Sequence, residues 1–103
     1  MKNLKTMIKL AEGVGTSFTE TMAIFKNESF EAKMQEFKTE EQAKKHLDNI
    51  IDTINESAKN LDFTWKLAIT CCDVELNGRN ILDMRIIESQ DKNSTCYIYI
   101  VEE

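Results

Sequence analysis

The sequence predicts an α+β fold: a single antiparallel sheet, built from an N-terminal hairpin and a C-terminal three-stranded meander, with one long amphipathic helix packed on one face and a short N-terminal helix. Three observations predict it. Residues 39–61 repeat apolar side chains at helical spacing, residues 63–72 alternate at strand spacing, and Asn77-Gly78 divides two apolar runs as a two-residue hairpin turn does.

The helix over 39–61 is marked at its start by Thr39-Glu40-Glu41-Gln42, a capping box in which the Thr39 hydroxyl accepts from the third helical N–H. Glu40 and Glu41 set negative charge at the positive end of the helix dipole. Ala43, Leu47, Ile50, Ile51, Ile54, Ala58 and Leu61 then share one face. Burying each large member contributes about 2 kcal/mol. Ordering the backbone costs about 1–2 kcal/mol per residue, so the helix needs a surface to lie on.

The strands that follow supply that surface. Phe63, Trp65, Leu67, Ile69 and Cys71 alternate with Thr64, Lys66, Ala68, Thr70 and Cys72. A turn at Asn77-Gly78 sets Leu76 opposite Arg79, Val74 opposite Ile81, Cys71 opposite Met84, Ile69 opposite Ile86 and Thr70 opposite Arg85. A polar loop from Ser89 to Thr95 leads to a last strand, Cys96 to Val101, closed by Glu102-Glu103.

Nearer the N-terminus, Leu4, Met7, Ile8 and Ala11 fall at i, i+3, i+4 and i+7, which predicts a helix over 2–12 ended by Gly13. Residues 17–37 place the polar turn Lys26-Asn27-Glu28-Ser29 between two apolar-aromatic runs. Thr19, Thr21, Ile24 and the phenylalanines favour a hairpin there, and a pair of helices is the rival reading.

With 103 residues the chain forms one domain, 1–103, with a single core. No apolar run approaches ~18 residues, and the dispersed lysines of the first fifteen positions do not make a signal peptide. An odd count of cysteines (Cys71, Cys72, Cys96) without a leader predicts reduced thiols and a cytoplasmic protein, in the host cytoplasm where a phage encodes it. A net charge of −5 argues against direct nucleic-acid binding and favours basic partners.

Catalytic chemistry finds little purchase. His46 has no nucleophile or orienting carboxylate proposed near it and reads as a boundary residue of the helix. Adjacent Cys71 and Cys72 point to opposite faces of a strand and lack the spaced pairing of a zinc site. Gly13-Val14-Gly15 follows a helical pattern, where a dinucleotide loop would follow a strand. No enzyme, metal site or cofactor is expected.

Two surfaces remain. On the long helix, Glu41, Asp48, Asp52 and Glu56 share the polar side, with Lys45 and Lys59 offsetting them in part. On the last strand, Tyr97 and Tyr99 share a face opposite Ile98 and Ile100, where they would anchor a partner unless the N-terminal segment covers them. These features predict a small acidic protein-binding module. The favoured class is an inhibitor, of the kind found among immunity proteins and phage anti-defence (anti-CRISPR-like) proteins, that masks a basic nucleic-acid-binding surface of a target protein. The alternatives are a housekeeping module that forms homodimers or other contacts through the last strand, and a small-molecule-binding protein with its site between sheet and helix.

Overall fold

The computed structural model describes residues 3–27, 29–59 and 64–102. Leu61, Phe63, Glu28 and Glu103, at the ends and turns of predicted elements, lie outside the described residues.

Seven elements follow one another: β1 (Leu4–Glu12), α1 (Phe18–Lys26), β2 (Phe30–Phe37), α2 (Glu40–Ala58), β3 (Trp65–Leu76), β4 (Arg79–Ser89) and β5 (Ser94–Glu102). The strands form one five-stranded sheet in the order β2-β1-β5-β4-β3. Every neighbouring pair is antiparallel. The fold class is therefore the predicted one, with one sheet, one long helix of 19 residues and a shorter helix near the N-terminus.

The N-terminal elements exchange places relative to the sequence reading. Residues 4–12 are a strand, not a helix, and residues 18–26 are a helix, not the first arm of a hairpin. The i, i+3, i+4, i+7 stripe arises because β1 is covered on both sides. Leu4 and Ile8 pack toward α2, while Met7 and Ala11 pack toward α1, so both parities carry apolar residues and the period of two disappears. Lys9 is only 8% exposed, its Nζ 4.8 Å from the Phe25 ring centroid. α1 is announced by Ser17-Phe18-Thr19-Glu20, a second capping-box pattern, and the Ser17 hydroxyl accepts from the Glu20 N–H at 3.3 Å.

The meander matches its predicted register at all five positions named above. Asn77 (φ 54°) and Gly78 (φ 77°) both lie in the left-handed region, as the tight turn between antiparallel strands requires.

Two apolar layers sandwich the sheet. α2 covers a cluster of Leu4, Ile87, Cys96, Ile98 and Ile100 with Ala43, Leu47 and Ile50. On the opposite face α1 brings Met22 and Phe25 onto Met7, Met84, Ile86, Tyr97 and Tyr99. Strand β5 lies at the centre, hydrogen-bonded to β1 on one side and β4 on the other. The last strand is thus not an edge, and it offers no free backbone for pairing with another chain. The edges are β2 and β3.

Candidate functional site

α2 begins with the predicted N-cap, the Thr39 hydroxyl accepting from the Gln42 N–H at 3.3 Å. Its inner stripe is closed to water: Ala43 and Leu47 are fully buried and Ile50 nearly so. At 3.6 residues per turn, Glu41, Asp48, Asp52 and Glu56 fall within roughly 80° of arc on the outer flank. All four are exposed. The Asp48 carboxylate lies 3.7 Å from Arg85 Nε of β4, which orients this flank toward the β4–β3 side of the sheet.

The electrostatics of the flank are uneven. Arg85 is mostly buried, and its NH1 donates to the Asp83 carboxylate at 2.6 Å, so Asp48 is a second, looser partner. Near the helix start, Lys44 pairs with Glu40 at 3.2 Å. That contact, followed by the fields of Asp83 and Cys72, holds the Lys44 ammonium above its ordinary pKa. Glu41, Asp52 and Glu56 make no hydrogen bond or ion pair among the described residues, and neither do Lys45 and Lys59, the expected counter-charges.

Asp48, Asp52 and Glu56 therefore form a run of carboxylates at i, i+4 and i+8. Each like-charge neighbour at this spacing costs a few tenths of a kcal/mol. Glu56 also lies in the last turn, where the dipole favours cations, and that turn carries no basic residue. Packing and helix stability do not account for these acids.

The tyrosines have a different role from the one expected. Tyr97 and Tyr99 are fully buried. Phe25 of α1 meets both rings edge-on, with centroids 4.8 and 5.3 Å away. The Tyr97 hydroxyl donates to the Thr21 carbonyl at 2.7 Å. Burial raises the pKa of both phenols. They are core residues beneath α1, and no partner reaches them in this fold.

Around Tyr99 lies a polar network that local sequence does not announce. Arg79 NH1 and NH2 donate to the Glu31 carboxylate at 2.7 and 2.9 Å, and the Tyr99 hydroxyl also donates to Glu31. Arg79's hydrogen bonds hold the Glu31 carboxyl below the usual carboxylate range, against the upward push of burial. Its members come from β2, β4 and β5, and a sequence scan has no spacing by which to join them.

His46 sits at the helix–sheet boundary, its Nδ1 3.0 Å from the Thr6 hydroxyl and its ring 5.1 Å from that of Phe37. Of the cysteines, Cys72 is exposed while Cys71 and Cys96 are buried, as strand alternation predicts for the adjacent pair. Burial pushes the Cys96 thiol up to about 12. A cleft of about 750 Å³ opens between Leu10, Ile24, Phe30 and Trp65. Among the described residues no helix is long and apolar enough to cross a membrane, and no three metal-binding side chains converge. Comparison with protein families, with characterised proteins and with solved structures finds no match.

Proposed function

We propose that the protein is a small acidic protein-binding module, an inhibitor that lays the outer flank of α2 over a basic, nucleic-acid-binding surface of another protein in the cytoplasm. Inhibitors of this kind are found among immunity proteins and phage anti-defence (anti-CRISPR-like) proteins. The observation that carries it is the Asp48–Asp52–Glu56 run: three exposed carboxylates on one flank, placed where they weaken the helix that bears them. Asp48 has Arg85 as a loose partner, whereas Asp52 and Glu56 oppose the helix with no compensating contact among the described residues, and such local conflicts are expected at functional sites.

The physics of such an inhibitor is simple. A helix clamped on a sheet presents its carboxylates at fixed positions, so little conformational entropy is lost on binding. The chain's net charge of −5 steers it toward cationic surfaces and speeds encounter. Lysines and arginines that grip phosphates would instead meet carboxylates, and nucleic acid would be excluded by competition for the same charge.

The test is affinity capture from host lysate by the wild-type chain and by an Asp52→Lys/Glu56→Lys variant, over a salt series. The wild type should retain a basic protein that is released as the screening length falls from about 10 Å at 0.1 M toward 3 Å at 1 M. Adding wild-type chain should block that protein's binding to nucleic acid, and the variant should do neither. Equal capture by both chains at every salt concentration sinks the proposal.

A further inference from the structure

β2 is an edge strand whose outer side has no pairing partner among the described residues. On its α2-facing side Phe30 is 63% exposed and Met34 43% exposed, next to Leu10 of β1, the cross-strand partner of Phe30. Such apolar surface beside free backbone groups is the usual template for strand addition. The other edge is less suited to it. β3 is broken by a register shift between Leu67 and Ile69 and by Asp73 in the left-handed region at φ 54°.

We infer that a second copy of this chain pairs with β2, antiparallel, about a twofold axis through Ala32. The side-chain pattern selects this occupant and this register. With the axis at Ala32, Phe30 stands opposite the partner's Met34 and Glu31 opposite the partner's Lys33, and symmetry makes each contact twice. Moving the axis to Glu31 or to Lys33 sets like charges against each other at the axis and separates Phe30 from Met34. Ala32 is small enough to face its own copy at the 4.5–5.5 Å typical of antiparallel cross-strand Cα pairs.

Two further features fit. The shift in the β1–β2 register beside Met34 ends the straight part of β2, which confines the new ladder to Phe30–Met34. Among the described residues Lys33 pairs only with Glu36, both about half exposed, a contact easily traded for one across the interface. Glu31 is held on Arg79, yet a carboxylate has acceptor capacity for a further donor. The acidic flank of α2 faces β4, so pairing at β2 leaves it open on both copies, and this inference stands apart from the proposed function.

The experiment is sedimentation velocity from about 1 µM to 1 mM, the range of weak strand-mediated association, combined with two strand-specific variants in a Cys72→Ser background that removes the exposed thiol. Wild-type chain should show a reversible monomer–dimer equilibrium. Lys33→Glu, at an exposed position, should raise the dissociation constant about tenfold by opposing two carboxylates twice. Ala32→Cys should form a disulfide-linked dimer under mild oxidation at least about tenfold faster than Ser57→Cys, an exposed control on α2, because the paired Cα separation suits a disulfide. A monomer at every concentration overturns the inference. So does a dimer that ignores Lys33→Glu, or one in which the two cysteine variants cross-link at the same rate.

Discussion

Arg79 and Glu31, 48 positions apart, meet in a two-point ion pair that reaches over β1 and β5 and ties the start of β4 to the edge strand β2. The Arg79 side chain is 38% exposed, so solvent screening discounts the pair, and Glu31→Gln should cost about 1 kcal/mol at pH 7. The folded pKa of Glu31 lies below its unfolded value. Its contribution is therefore complete above the unfolded carboxylate pKa of about 4.3 and disappears as pH falls through the lower folded value. Urea denaturation of wild type and Glu31→Gln at pH 7, 5, 4 and 3 checks this. The gap between them should persist from pH 7 to 5 and close toward pH 3.

Phe25 is the residue through which α1 holds its face of the sheet. Phe25→Ala removes a fully buried ring and both edge-on tyrosine contacts. The expected loss is about 3–5 kcal/mol, a large share of the 5–15 typical of a small domain. Tyr97→Phe keeps the ring but leaves the Thr21 carbonyl without its 2.7 Å donor, for an expected loss of about 1–2 kcal/mol. Midpoints of urea denaturation with unchanged slope would report both. A Phe25→Ala chain as stable as wild type would mean that α1 does not hold this face.

These burials show which parts of the fold the sequence discloses. α2 and β3 are legible because each has one wet side, Leu47 and Ile50 against Asp48 and Asp52, or Cys71 against Cys72. β4, whose adjacent Ile86 and Ile87 enter different cores, is legible only through the Asn77-Gly78 turn that sets its register on β3. β1 is hidden because it has no wet side. Met7 and Ile8 are adjacent, yet each enters a different core, and the resulting pattern imitates a helix. α1 could have been read from the Ser17–Glu20 capping box, but its phenylalanines and threonines carry strand propensity that tertiary contact with Tyr97 and Tyr99 overrides. The acidic flank was legible as a set of residues. Its division into Asp48, which has a partner, and Asp52 and Glu56, which do not, depends on Arg85, far away in sequence.

Gly15 and Gly78 should respond differently to alanine. A Cβ at Gly15 would stand 2.4 Å from the Thr21 backbone nitrogen, inside α1, and the helix would have to move. A Cβ at Gly78 meets nothing within 4 Å, so the penalty there is the left-handed backbone at φ 77° alone. Gly78→Ala should cost about 1 kcal/mol. Gly15→Ala should cost more, about 2–3 kcal/mol, with the loss concentrated in α1. Amide hydrogen exchange would locate it: faster exchange over residues 18–26 for Gly15→Ala, and near the 77–78 turn for Gly78→Ala.

Asp48 and Asp52 separate fold from function on the α2 flank. Asp48→Lys places a cation beside Arg85 Nε, now 3.7 Å from a carboxylate, and should destabilise the chain by about 0.5–1 kcal/mol. Asp52→Lys touches no intramolecular partner and turns a like-charge i,i+4 pair with Asp48 into an opposite-charge one, so stability should hold or rise by a few tenths of a kcal/mol. Partner capture should follow charge and not stability: both variants should lose it, and Asp52→Asn should lose less than Asp52→Lys. Thermal melts run beside the capture assay provide the comparison. If Asp48→Lys alone lost capture, in step with its lower melting temperature, the flank would be structural and the docking role of Asp52 and Glu56 would be excluded.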